Sequence, residues 1–249
     1  MSLKFLDFLF NRKGNLNPEI EELIDYKFAN KSILSMALSH RSNSLSQVSN
    51  ERLEFLGDSV LGVVVSEFIY QKFPEYSEGN LTKIKATLVN ETILSKVADG
   101  FGLGEFIYLS AEEEKSGGRK KPSILADAME ALIGAVYLDG GLDASSKFIH
   151  RFILNEHERL LNLEEARNYK GELLELLQGA GKPGPYYEVI EENGPDHFKE
   201  FVISVSINGN RLGVGKGGTK KEAEQKAAKM ALEQIDNYSK AKPINGNIL

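Results

Sequence analysis

Residues 51–62 read E-R-L-E-F-L-G-D-S-V-L-G. Glu51, Glu54 and Asp58 are three and four residues apart, the spacings that share one face of an α-helix. Leu53, Phe55, Leu56, Val60 and Leu61 lie among them, and Val63, Val64 and Val65 follow. A mostly apolar helix therefore carries three acids. Charged groups are seldom buried without a partner, and like charges at helical spacing repel. Two arrangements meet that cost. One is a solvated face paired with Arg52 or a lysine elsewhere. The other is a hard divalent cation held by carboxylate oxygens.

A second acidic pair follows about seventy residues later. Pro122-Ser123 opens the run I-L-A-D-A-M-E-A-L-I-G-A-V-Y-L-D, which reads as an apolar helix with Asp127 and Glu130 three residues apart. Two apolar helices with acids at this spacing suggest facing ligands, with a salt-bridged pair as the alternative. Basic residues are scarce: only Arg52 lies in the first cluster and none in the second.

The 249 residues, 41% hydrophobic and 27% charged, suit one large or two small folded domains. There is no cysteine, which excludes disulfides, zinc–thiolate sites and cysteine nucleophiles, and fits a reducing, cytoplasmic setting. His40, His150, His157 and His197 show no close ligand spacing, so a metal here is expected to be bound through oxygen. His40, at a helix end, is read as structural before catalytic. The net charge of −6 is uneven: residues 1–168 carry 19 basic and 25 acidic side chains, and residues 169–249 carry 11 of each. Basic residues predominate between 199 and 230, and a local basic surface binds phosphates whatever the total charge. Residues 1–18 are apolar but interrupted by Lys4 and Asp7, and read as an N-terminal arm. The apolar run is too short to span a bilayer and lacks the order of a signal peptide.

Residues 19–41 are helical in pattern, with Ser32 as a cap for the second half. Residues 42–50 form a Ser/Asn loop. The acidic helix continues through Tyr70 and stops before Pro74. Ser77-Glu78-Gly79-Asn80 starts a helical run from Leu81 to Ala98. Residues 112–122 read as a flexible charged loop, and a further helix is expected over 143–161. After a polar linker the periodicity changes. A short helix, Lys170 to Gln178, precedes strand-like runs at Tyr186 to Glu191, Phe198 to Ile207 and Arg211 to Gly215, then a helix from Thr219.

The 51–62 stretch resembles the signature of the ribonuclease III family. S-I-L-A-D-A-M-E-A-L-I-G-A is similar to the family's second acidic motif, E-K-S-G-G to the loop before it, and H-R-S at 40–42 also matches. The resemblance implies an all-α endonuclease domain that forms a homodimer. It implies that Glu54, Asp58, Asp127 and Glu130 build a Mg²⁺ site, where Mn²⁺ can substitute. Glu51 and Glu78 match acids that assist RNA engagement and cleavage, and Phe55 an aromatic that packs across the dimer interface. The chemistry suits these residues: a carboxylate-held cation reverses the local sign that would repel a phosphodiester. Asp58 and Glu130 are expected to be catalytic, orienting the attacking water.

The α-β-β-β-α order, with G-P-D-H-F-K-E-F and G-T-K-K-E-A-E-Q, resembles a double-stranded-RNA-binding domain. Lys220 and Lys221 sit at a helix N-terminus, where backbone N–H groups already favour phosphate. His197, in a turn, and Glu175 and Gln178, on the first helix, are placed to reach a minor groove. Gly171 and Leu174 depart from that pattern, standing where relatives often have a hydroxyl residue and a polar one.

The expected organisation is an arm (1–18), an all-α nuclease domain (19–162), a linker (163–168), a small α+β RNA-binding domain (169–237) and a tail (238–249). The expected protein is a Mg²⁺-dependent endonuclease on double-stranded RNA, dimeric, with no membrane partner and no small-molecule cofactor. The resemblance implies 5′-phosphate and 3′-hydroxyl ends, short 3′ overhangs, and ribosomal-RNA precursors among the substrates. The rivals are a non-catalytic double-stranded-RNA-binding protein, disfavoured by the four intact acids, and a phosphohydrolase of small substrates, disfavoured by the basic C-terminal part.

Overall fold

The computed structural model describes residues 17–43, 48–163, 167–194 and 199–241. His197 and nearly all of the expected arm lie outside the described residues. The chain divides into two compact units, Met1–Arg167 and Asn168–Leu249.

The first unit is helical: α1 (Asn17–Ile24), α2 (Lys31–Ala37), α3 (Glu51–Lys72), α4 (Glu78–Leu88), α5 (Glu91–Gly100), α6 (Ala111–Lys115), α7 (Pro122–Phe152) and α8 (His157–Leu161). Its centre is α3 packed on α7. Leu53, Gly57, Val60, Leu61, Val64 and Val65 recur at helical spacing and are buried on α3. Leu125, Ala128, Met129, Leu132 and Ile133 answer them from α7. Leu61, Leu132 and Ile133 are wholly buried, and each such side chain contributes about 1.5–3 kcal/mol.

Several local expectations are corrected by capping side chains. The pattern over 19–41 is two helices, and Asp25 between them has a φ of 55°. Asn30, not Ser32, caps α2, its Oδ1 accepting from the Ser32 N–H at 3.0 Å. The run from 81 to 98 is broken because Asn90 turns its side chain onto the Ile93 N–H at 2.8 Å and starts a new helix. The 112–122 segment is not a loop throughout. Ser110 Oγ caps α6 on Glu113, and Arg119 donates to the carbonyls of Gly104 and Ile107 at 2.8 and 3.0 Å. The helices expected on either side of 140 are both present in α7, meeting at Gly141, whose backbone is not helical (φ 77°), and the second stops at Phe152, short of the expected 161.

In the second unit, α9 (Tyr169–Gly179) precedes β1 (Tyr186–Asn193), β2 (Glu200–Ile207) and β3 (Asn210–Gly217), and α10 (Lys220–Ala241) closes it. The sheet is antiparallel in the order β1-β2-β3. Asn208 and Gly209, both at positive φ, make the two-residue hairpin turn between β2 and β3. Leu173, Leu177, Val205, Ile207, Ala227 and Ala231 form the core. α10 approaches β3 so closely that a Cβ on Gly215 would stand 2.1 Å from the Ala223 carbonyl oxygen. The expected α-β-β-β-α order is present, and α10 runs to Ala241, past the expected domain end at 237. No helix among the described residues is long and apolar enough to cross a membrane.

Candidate active site

The acids are brought together by glycines. A Cβ on Gly57 would stand 1.8 Å from the Glu130 carbonyl oxygen, and one on Gly134 would stand 2.2 Å from that of Leu53. The two backbones touch there, so the turn of α3 bearing Glu54 and Asp58 lies against the turn of α7 bearing Asp127 and Glu130.

The acids raise one another's affinity for protons. Burial, then the charges of Asp58, Glu54 and Asp127, pushes Glu130 up to about 8. Glu54 is raised by burial, then by Asp127 and Glu51. Asp127 is raised by burial, then by Glu91. Among the described residues, none of these four carboxylates has a hydrogen bond or an ion pair. The salt-bridge alternative therefore fails here. As placed, no three acid or imidazole side chains among the described residues form a ready cation-holding group. The donor set is nevertheless all carboxylate oxygen on two firmly packed helices, which suits a hard divalent cation.

A pocket of about 200 Å³ beside the acids is lined by His40, Arg41, Asn50, Glu51, Glu54 and Asp127. Glu51 accepts from Ser49 Oγ at 2.7 Å and lies 3.9 Å from Arg41. His40 is buried, which holds its imidazole below the usual range. Asn50 is buried as well, and its Nδ2 has no acceptor. Neither the unused side chain of Asn50 nor the glycine crossing is expected from the sequence: an asparagine before a helix reads as a cap, and a glycine in an apolar run carries no periodic signal. Asp58 lines a separate pocket with Ser59, Gly62, Val63, Ser66, Lys85 and Val89.

Glu78 opens α4, capped by Ser77, accepts from Thr82 Oγ1 at 2.8 Å, and lines neither pocket. Phe55 points outward from α3 at 77% exposed, as do Val63 and Tyr70 on the same helix at 58% and 73%. In the second unit Lys220 and Lys221 are exposed at the start of α10, and Lys220 Nζ lies 5.5 Å from the Phe201 ring centre. Glu175 and Gln178 are exposed on α9, as is Leu174. Gly171 sits within 2.7 Å (measured from an added Cβ) of the Asn168 amide, which caps α9 on the Gly171 N–H. A larger residue there would push on the cap.

The sequence profile of the family described as Ribonuclease-III-like matches residues 30–157, and that of the double-stranded RNA binding motif matches residues 169–235. Ribonuclease 3 of Campylobacter jejuni (strain RM1221) is 43% identical over 217 residues, covering 87% of this chain and 96% of the relative. Ribonuclease 3 of Geobacillus kaustophilus is 43% identical over 222 residues, covering 87% and 90%. A solved structure of the nuclease domain of ribonuclease III from Campylobacter jejuni, described for structural flexibility in a region involved in dimer formation, is 44% identical. It covers 57% of this chain and 97% of that domain, with a TM-score of 0.54.

Proposed function

The chain belongs to the ribonuclease III family, and from that premise we propose how its site works and on what. It is an endoribonuclease that hydrolyses double-stranded RNA, and its family uses a divalent metal. In our reading the metal is Mg²⁺, with Mn²⁺ able to substitute, and Glu54, Asp58, Asp127 and Glu130 hold it. The observation that carries this is the Gly57–Gly134 crossing, which lays the turn bearing Glu54 and Asp58 against the turn bearing Asp127 and Glu130. When bound, the cation supplies Lewis acidity and lowers the pKa of nearby water.

The remaining work falls to the chain. Asp58 and Glu130 orient the attacking water and take up its proton. The water oxygen bonds to phosphorus, the bond from phosphorus to the 3′ oxygen breaks, and that oxygen gains a proton from solvent. The ends are a 5′-phosphate and a 3′-hydroxyl. Glu51 and Glu78 assist engagement and cleavage. The second unit holds the duplex, with Lys220 and Lys221 on phosphates and Glu175, Gln178 and His197 in the groove. We place the catalytic domain at 19–162 and the RNA-binding domain at 168–241, taking in the Asn168 cap and the whole of α10.

Two copies joined through Phe55 set two sites across one duplex, which gives staggered cuts and short 3′ overhangs. Ribosomal-RNA precursors and other structured cytoplasmic transcripts are the proposed substrates. The test is a long RNA duplex incubated with Mg²⁺ or with a chelator. Cleavage to those ends with Mg²⁺ alone is expected, and a duplex left intact in excess Mg²⁺ overturns the reading.

A further inference from the structure

Asn50 stands at the N-cap of α3, where a side-chain oxygen ordinarily accepts from the first turn, yet its side chain makes no cap bond. It is 2% exposed, and its Nδ2 has no acceptor. Its backbone is fixed: the N–H donates to Ser39 O at 2.8 Å, and the carbonyl accepts from the N–H groups of Leu53 and Glu54. A buried N–H without a partner calls for an explanation.

The same pocket presents a second donor. The Ser42 N–H donates to His40 Nδ1 at 3.2 Å, and Ser42 Oγ lies 2.9 Å from that nitrogen while accepting from the Ser110 N–H. A ring nitrogen that accepts carries no proton, so the hydrogen of the neutral ring is on Nε2. Among the described residues nothing accepts from it. The carboxylates lining the pocket are those of Glu51, Glu54 and Asp127. Glu51 is already engaged by Ser49 and Arg41. Glu54 and Asp127 are not.

We propose that Asn50 Nδ2 and His40 Nε2 are positioning donors that orient the Glu54 and Asp127 carboxylates for a divalent cation. The proposal rests on the function proposed above. A carboxylate that gives one oxygen to a cation keeps the other for a donor, and such outer partners fix the ligand's direction. A donated N–H also favours the charged carboxylate that a cation needs. A neutral amide and a neutral imidazole do this without competing with the cation, as a lysine would.

The test is Mn²⁺ binding to the full chain without RNA, by calorimetry, with the melting temperature of the metal-free protein measured beside it. Asn50→Ala and His40→Phe are expected to weaken Mn²⁺ binding about 10–100-fold, while metal-free melting stays near that of the parent. His40→Gln, whose amide restores a donor, is expected to recover most of the loss. A purely structural role would lower melting and leave the affinity of the folded protein unchanged. Folded Asn50→Ala and His40→Phe proteins that bind Mn²⁺ like the parent overturn the proposal. If Asn50→Ala does not fold, the two His40 variants decide alone. A parent that binds no Mn²⁺ and leaves duplex uncut overturns the functional reading and this proposal together. A parent that binds and cuts, with every variant its equal, overturns this proposal only.

Discussion

Glu130 holds its proton far more tightly in the fold than an ordinary glutamate, which loses it near 4.5. The metal-free fold is thus favoured below that pH and loses the contribution as the pH rises through about 8. In chelator, the melting temperature is expected to fall by several degrees between pH 5 and about 8.5. Glu130→Gln should flatten that slope, and excess Mg²⁺ should remove it by favouring the charged carboxylates. A slope that survives Glu130→Gln would assign it elsewhere. The same variant keeps size and removes charge, so cleavage is expected to fall by at least about 100-fold while duplex binding persists. Retained cleavage in a gel assay would take Glu130 out of the site. The acids were legible in the sequence because spacings of three and four residues mark a helix face. Asn50 was not, because its residue type announces a cap and no pattern reveals a cap side chain left unused.

The pairing of α3 with α7 depends on two helix backbones in contact, which no hydrophobic pattern encodes. A methyl group at Gly57 would lie 1.8 Å from the Glu130 carbonyl oxygen, and backbone cannot step aside as a flexible side chain can. Gly57→Ala is expected to cost about 3 kcal/mol or more and to separate the acid pairs. Gly62 lies on the same helix, but its added Cβ would meet only the Lys85 side chain at 3.5 Å, an ordinary contact. Gly62→Ala should be neutral or stabilising by about 0.4–1 kcal/mol. Urea titrations of the two variants decide it, and equal midpoints would remove the crossing from the argument. The apolar faces of both helices were readable from their period. Helix ends were less so, since Asn30, Asn90 and Ser110 act by local hydrogen bonds that can interrupt a periodic run.

At the scale of the whole molecule, Phe55, Val63 and Tyr70 are exposed apolar side chains on the helix that bears Glu54 and Asp58. Phe55→Ala is expected to weaken self-association by about 2 kcal/mol or more, read as a shift in the monomer–dimer equilibrium by light scattering. A parent that is monomeric at concentrations where it cuts would sink the dimer. The division into two parts was legible in the change from helical to strand periodicity, but the cut point needs the structure. Asn168 was expected in the linker, yet its side chain caps α9 and accepts from Gln225 Nε2 at 3.0 Å, so it belongs with the second unit. A fragment ending at Arg167 keeps the α3–α7 core and all four acids, and lacks Lys220 and Lys221. Every phosphate that a lysine no longer neutralises makes binding less salt-dependent, by a slope of about 0.9 on duplex DNA. The 1–167 fragment is therefore expected to bind duplex RNA poorly at physiological salt, yet to cut it when salt is low and Mg²⁺ plentiful. The 168–241 fragment, with its own core of Leu173, Leu177, Val205 and Ala227, should bind duplex RNA without cutting and prefer it to duplex DNA. Filter binding and gel assays on both fragments read the cross-pattern. A second fragment that ignores RNA, beside a first that binds as tightly as the whole chain, would reverse the division of labour.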